Sequence, residues 1–267
     1  MRNLYKLKYL RKVFIPLLQT FSFDFRVTHP WVKGQKYLLN SFLHKGYWYH
    51  GSNREKLSMN LFKKIIKKDD FVIEVGGHIG FISLFFQDIV GSNGSLVIFE
   101  PGSNNLPYLK ENVKPFKNIE VREKAVGDYE GIIAFYEDGI TGQNNSVVEN
   151  FDGLEANSKL AFVKKQVKKV EVPISKIDGN FDVESINFIK IDIEGGELEA
   201  LKGAEKTIKR CKPFIMVEIQ KNEDEILQFF NSLNYSLFDE SLNQLFKSSD
   251  LEGNVFCFPK DIDTSKF

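Results

Sequence analysis

From about residue 57 onward the chain alternates between two hydrophobic periods. Leu61, Phe62, Ile65 and Ile66 recur at helical spacing, and Lys63, Lys64, Lys67 and Lys68 occupy the opposite face. Asp69-Asp70 turns the chain, and Phe71 to Val75 reads as a short apolar strand. A helix follows over Phe81 to Ile89, with apolar residues at 81, 82, 85, 86 and 89. Ser95 to Phe99 predicts a second strand after a Gly91-Ser92-Asn93-Gly94 turn. Asn105 is placed as the N-cap of a helix to Val113, with Pro107 in its first turn. Third, fourth and fifth strands are expected at Ile119 to Val126, Ile186 to Ile191 and Pro213 to Ile219. A helix from Glu197 puts Leu198, Leu201 and Ile208 on one face, and another spans about Ile226 to Leu233. Tyr235 to Phe238 and Val255 to Phe258 have no helix between them, which predicts an antiparallel pair.

Strands alternating with helices predict an α/β fold, a mostly parallel sheet with helices on both faces. Residues 1–55 form an N-terminal extension of helical and aromatic character, and 56–267 form the main domain. An insert at about 127–180 interrupts it. Within the insert, Ile132 to Tyr136 and Val167 to Val172 alternate as exposed strands do, and the polar stretch Gly139 to Asn150 predicts a mobile, lid-like loop.

Composition narrows the class. The chain has 267 residues, 42% of them hydrophobic, enough for a sizeable core. Lys plus Arg and Asp plus Glu are 36 each, a balance that argues against a dedicated nucleic-acid binder. Two cysteines, Cys211 and Cys257, fit neither a metal spacing nor a disulfide framework and point to a reducing, cytoplasmic setting. The basic N-terminus has an apolar run, Val13 to Leu18, that Pro16 breaks and that is too short for a membrane span or a signal peptide. It reads as a helix that packs on the domain, or as a basic amphipathic segment making peripheral contact with an anionic membrane.

In an open α/β sheet, ligands bind outside the carboxyl ends of the strands. Glu74, Glu100, Asp192 and Glu218 stand at the ends of four core strands. Clustered carboxylates repel one another, so their ligand should bring positive charge or hydrogen-bond donors. The first strand runs into Gly76-Gly77-His78-Ile79-Gly80, a tight turn that lacks the Gly-x-Gly-x-x-Gly dinucleotide spacing. Glu100, 24 residues past Gly76, suits a carboxylate taking both hydroxyls of a ribose. A phosphate-free nucleoside with a positive tail, S-adenosylmethionine, fits this combination.

The sequence then resembles the FkbM-type methyltransferases, over roughly residues 46 to 240. The resemblance rests on Phe71-Val-Ile-Glu-Val-Gly-Gly-His-Ile-Gly80, Ile98-Phe-Glu-Pro101, Lys124-Ala-Val-Gly-Asp128 and Ile189-Lys-Ile-Asp-Ile-Glu-Gly-Gly-Glu-Leu-Glu-Ala-Leu-Lys-Gly-Ala204. It implies a Rossmann-like, seven-stranded sheet with the last strand antiparallel. It also implies cofactor contacts from Glu74, Gly76, Gly77, His78, Gly80, Glu100 and Pro101, and adenine contacts near Val126 and Asp128. The expected acceptor is a hydroxyl of a sugar, glycan or secondary metabolite. The family commonly reads Asp-x-Gly-Ala-Asn-x-Gly where this chain has Glu-Val-Gly-Gly-His-Ile-Gly, so His78 stands in place of an amide.

An alcohol is a poor nucleophile until its proton is removed, so a base or a metal is expected. Asp192 is the first candidate base, with Glu194 and Glu218 next. Asp192 and Glu218 are also placed to share Mg²⁺ or Mn²⁺ with the substrate. Lys190, unusual in a core strand, is expected to pair with one of these acids. Glu197 favours a helix N-terminus, and His50 is a lid candidate beside the aromatics of Gly46 to Gly51. Two other readings stay open at this point: nitrogen methylation, although no Asn/Asp-Pro-Pro-Tyr-like motif follows the fourth strand, and a non-catalytic scaffold that kept the fold.

Overall fold

A computed structural model describes residues 8–149, 167–181, 185–264 and 267. The extension is α1 (Lys8–Thr20), a hairpin of β1 (Asp24–Thr28) and β2 (Lys36–Asn40), then α2 (Lys45–His50). The hairpin was not foreseen from the sequence. It packs into the same core as the domain: Val32, Tyr37, Leu39 and Tyr47 join the cluster that holds Phe81 and Phe85.

The domain runs α3 (Lys56–Ile65), β3 (Phe71–Val75), α4 (Phe81–Val90), β4 (Ser95–Phe99), α5 (Leu106–Val113) and β5 (Ile119–Arg122). The insert supplies β6 (Ala125–Val126), β7 (Gly131–Asp138) and β8 (Val167–Ser175). The chain continues through β9 (Phe188–Ile191), α6 (Glu197–Lys202), α7 (Glu205–Cys211), β10 (Phe214–Ile219), α8 (Glu223–Ser232), β11 (Tyr235–Phe238), β12 (Gln244–Leu245) and β13 (Gly253–Pro259). The main sheet has the order β12-β11-β13-β10-β9-β3-β4-β5. β5, β4, β3, β9 and β10 are mutually parallel, and β13 inserts antiparallel between β10 and β11. These are the seven expected strands, with the two-residue β12 added as an eighth at the edge. The order reverses between β3 and β9, and a crevice opens there at the strand ends.

The central strands β3, β4, β9 and β10 are mainly apolar because both sheet faces are covered. Val72, Ile98, Phe188 and Met216 face α3 and α4, and Ile73, Val97, Ile189 and Ile215 face α6 to α8. Full burial of a side chain such as Phe86 contributes about 2–3 kcal/mol.

Four expectations need correction. The third strand does not continue to Val126: it leaves the main sheet after Arg122, and Ala125–Val126 pairs with β8 in a separate three-stranded sheet. The helix from Glu197 breaks into α6 and α7 at Gly203-Ala204, where a Cβ on Gly203 would run into the Gly127 carbonyl oxygen. Asn105 does not cap α5 with its side chain; its amide turns toward the crevice. The polar stretch from Gly139 does not project into solvent. Ile140, Thr141, Asn145 and Ser146 are buried. The Asp138 carboxylate accepts from the N–H groups of Ile140 (2.9 Å) and Thr141 (3.2 Å), and Tyr136 pairs with Ser146. The loop's polar groups satisfy one another, so polarity here does not mean exposure. Asn150 lies outside the described residues.

Candidate active site

The crevice at the ends of β3, β4, β9 and β10 is a cavity of about 210 Å³. Glu74, Glu100, Asp192 and Glu218 all line it, as the strand-end reading predicts, together with Glu194. Register fixes the first contact: Glu74 on β3 is paired with Lys190 on β9, so their side chains share a face. Lys190 Nζ lies 2.9 Å from Asp192 Oδ2, 4.0 Å from Glu74 Oε1 and 3.4 Å from the Gly76 carbonyl oxygen. Burial opposes its charge, but Asp192 and Glu74 outweigh that and hold the ammonium charged. Glu74 also accepts from the Ser83 hydroxyl at 2.5 Å. Burial pushes its carboxyl up to about 7, and Lys190 pulls in the opposite direction.

The turn between β3 and α4 runs closely against the end of β9 and against Ile98, a protein contact that the sequence reading did not foresee. Gly76 has φ 87°, and a Cβ there would run into the Asp192 carbonyl oxygen. A Cβ on Gly77 would strike the Ile98 side chain. Only glycine fits such an approach. His78 also takes a positive φ, 47°. Its N–H donates to Glu100 Oε2 at 2.8 Å, while Gly102 N–H and the Asn105 amide donate to Oε1 at 2.8 and 3.3 Å. Burial nonetheless raises Glu100 to about 7.

Both His78 ring nitrogens are engaged by protein groups. Nε2 lies 3.2 Å from the Thr141 carbonyl oxygen, and Nδ1 lies 2.9 Å from the Tyr47 hydroxyl. A carbonyl only accepts, so Nε2 carries the hydrogen and Nδ1 accepts from Tyr47. Burial holds the imidazole neutral, with its pKa well below the usual histidine range. His78 thus ties the glycine turn to α2 and to the loop after β7.

At the other end of the cavity, Asp192, Glu194 and Glu218 each offer an oxygen within 4.8 Å of the others. Asp192 and Glu218 are hydrogen-bonded to one another, and the Gln220 amide donates to Glu194 (2.6 Å) and Glu218 (3.2 Å). Two adjacent carboxylates cannot both ionise freely. Ionised Asp192, followed by burial, raises Glu218. Burial opposes ionisation of Asp192, but Lys190 and its other donors keep it below the usual range. Their hydrogen bond requires one shared proton, and Lys190 beside Asp192 favours the ionised form there and the proton on the Glu218 side. Burial and then Asp192 push Glu194 up to about 8.

The remaining predicted residues separate. Pro101 and Val126 line the cavity, while Asp128 is exposed and outside it. Glu197 is buried but points to its own turn, accepting from Gly195 N–H at 2.7 Å. His50 is outside the cavity, and its neighbour Tyr47 lines it instead. Gln143 and Asn145, which line the cavity, come from the polar stretch expected as a lid, whereas the sequence reading missed Arg54, Glu55 and Asn254, which line it as well. Arg54 lies over the Tyr47 ring at 4.2 Å and its Nε is 3.1 Å from Glu55 Oε1. Asn254 reaches the site because β13 pairs it with Glu218. No local pattern marks these residues; tyrosine in the Gly46 to Gly51 cluster was the only available signal.

A glycine-rich turn and a ring of acids at the strand ends suit a cationic nucleoside. Comparison with known proteins agrees. Residues 74–237 match the Methyltransferase FkbM domain family. The 2-O-methyltransferase NoeI of Sinorhizobium fredii is 23% identical over 184 residues, covering 65% of this chain and 74% of that protein. Methyltransferase 1 of Beauveria bassiana is 20% identical over 147 residues, covering 51% of this chain and 58% of that protein. The crystal structure of an FkbM methyltransferase from Methylobacillus flagellatus KT aligns with a TM-score of 0.48 at 17% identity, over 72% of this chain and 44% of that one. With more than half its length inside the family match, the chain belongs to the FkbM-domain methyltransferases and is an S-adenosylmethionine-dependent enzyme.

Proposed function

We propose that this chain methylates a hydroxyl oxygen of a small-molecule or glycan acceptor. The observation that carries the reading is the proton-sharing pair Asp192–Glu218, set at adjacent strand ends in the same cavity as Glu100. Glu74, Gly76, Gly77, Glu100, Pro101 and Val126 are the groups that would hold the cofactor, with His78 at the cavity wall bracing the turn. Bound S-adenosylmethionine supplies an electrophilic methyl on a sulfonium sulfur. Ionised Asp192 accepts the acceptor's hydroxyl hydrogen bond, which aims a lone pair into the cavity, and takes the proton during transfer. A carboxylate of depressed basicity suffices, because an alcohol oxygen becomes strongly acidic as its new bond to carbon forms. Glu218 keeps Asp192 oriented, and Asp192 releases the proton to solvent once the product leaves. NoeI's activity on oxygen, given in its name, supports oxygen over nitrogen. Cys211 and Cys257 are not joined in a disulfide, which suits a cytoplasmic setting.

Asp192→Asn is expected to lower kcat by about 10²–10⁴ with a panel of hydroxylated acceptors, while cofactor affinity changes by less than about threefold. Equal losses in both would place the base elsewhere. Formation of no S-adenosylhomocysteine with any acceptor would favour a non-catalytic binder. The cluster of Asp192, Glu194 and Glu218 also has the donor set for Mg²⁺ or Mn²⁺. We favour proton transfer because Lys190, Gln220 and the shared proton already neutralise these acids. EDTA is then expected to leave turnover unchanged, and a loss restored by Mg²⁺ would put a cation there.

A further inference from the structure

Helix α1 carries two apolar stripes. One is used: Ile15 is buried against Phe42 and Ile140, with Leu18 beside them. The other is not. Phe14, Leu17 and Phe21 are spaced three and four residues apart, so they share one side of the helix. The Phe21 N–H still donates to the Leu17 carbonyl oxygen at 3.0 Å, which keeps Phe21 on that stripe. These three side chains and Phe23 just beyond are each at least half exposed. Phe23 rests against the Phe25 ring at 5.4 Å, and the outer side of all four stays open among the described residues. Four large apolar side chains together are not the scattered exposure normal for a protein surface.

The charge around this stripe has one sign. Arg2, Lys6, Lys8, Arg11 and Lys12 precede it, and no acid occurs before Asp24. Asp24 is itself held by the Asn40 amide and the Tyr108 hydroxyl, both on its Oδ1 at 2.8 and 2.9 Å. A second copy of the chain meeting this face symmetrically would pair two segments that are basic in sequence and carry no acid before Asp24. An anionic bilayer complements both features, taking the aromatic side chains at its interface and the cations at its headgroups. Among the described residues no helix is long and apolar enough to cross a membrane, so the contact is one of lying on the surface.

We infer that α1 and the turn after it form an interfacial anchor that seats the chain on an anionic lipid surface. Through Ile15 on Ile140 the anchor abuts the loop whose next residues, Gly142 and Gln143, line the cavity. The bilayer therefore lies beside the cavity's loop. This inference is independent of the methyl-transfer reading, and its test does not use activity.

The test is flotation of the full-length chain with phosphatidylcholine vesicles, with and without phosphatidylserine. Binding to the mixed vesicles is expected, at least about tenfold stronger than to phosphatidylcholine alone and weakened by salt. A Phe14→Ser/Leu17→Ser/Phe21→Ser variant should lose this binding while keeping its Tm and its affinity for S-adenosylmethionine, since the three side chains touch neither core nor cavity. No flotation with the mixed vesicles at low salt would overturn the inference. So would a triple variant that floats as well as the parent chain. A parent chain that is a dimer, becomes a monomer in the triple variant and ignores vesicles would assign the stripe to self-association instead.

Discussion

His78 is the residue whose meaning changed most between sequence and structure. From the sequence it stands where relatives offer an amide, facing the cofactor. In the fold its imidazole is a bracket between Tyr47 and Thr141, and its backbone N–H, not its ring, addresses Glu100. Tyr47→Phe would leave Nδ1 buried without a donor. It is expected to cost about 1–2 kcal/mol of stability, read by urea denaturation; a cost below about 0.5 kcal/mol would mean the hydroxyl does not hold the ring. Glu100 has a different kind of constraint. It already accepts two backbone N–H groups, yet keeps lone pairs directed at the cavity. Glu100→Gln removes the charge with little change in shape, and S-adenosylmethionine should bind at least about tenfold more weakly by calorimetry. Unchanged affinity would sink the assignment of Glu100 to the ribose. Both residues were identifiable from the motif, but Arg54 was not, since an isolated arginine in a loop carries no pattern.

At the scale of elements, strand ends were more legible than strand interruptions. Continuous apolar runs located β3, β4, β9 and β10 because each is buried on both faces. The run Ile119 to Val126 misled because two short strands of different sheets follow one another with only two residues between them, and hydrophobicity does not record which sheet a segment joins. Gly203 was equally silent, because what breaks the helix is the approach of Gly127 from a distant part of the chain. The glycine turn was legible, and its role can be tested. Gly76→Ala puts a Cβ against the Asp192 carbonyl oxygen at a positive φ. It should destabilise the protein by at least about 2 kcal/mol and separate β3 from β9 at the site. A variant with unchanged Tm and cofactor affinity would show that the turn has slack.

The whole molecule concentrates carboxylates in one buried place, and its stability should record this. Glu74, Glu100 and Glu197 are raised to about 7 and Glu194 to about 8, from 4.5. Acids raised in the folded state contribute stability that is complete below about 4.5 and is lost as pH rises through 7 to 8. The ligand-free protein should therefore melt at least about 5 °C lower at pH 8.5 than at pH 6. A cationic cofactor favours the ionised acids, so S-adenosylmethionine should raise Tm more at pH 8.5 than at pH 6. A Tm that rises with pH in the ligand-free protein would contradict the burial of this cluster. The sequence by itself determined the α/β class, the strand-end acids and the glycine turn, because hydrophobic period and turn chemistry are local properties. It did not determine that β1 and β2 form a hairpin, that the polar loop after β7 is buried, or that Tyr47, Arg54 and Asn254 meet the acids. Those depend on which surfaces meet when the sheet closes, and only the tertiary structure brings residues 47, 54, 78, 192 and 254 into one cavity.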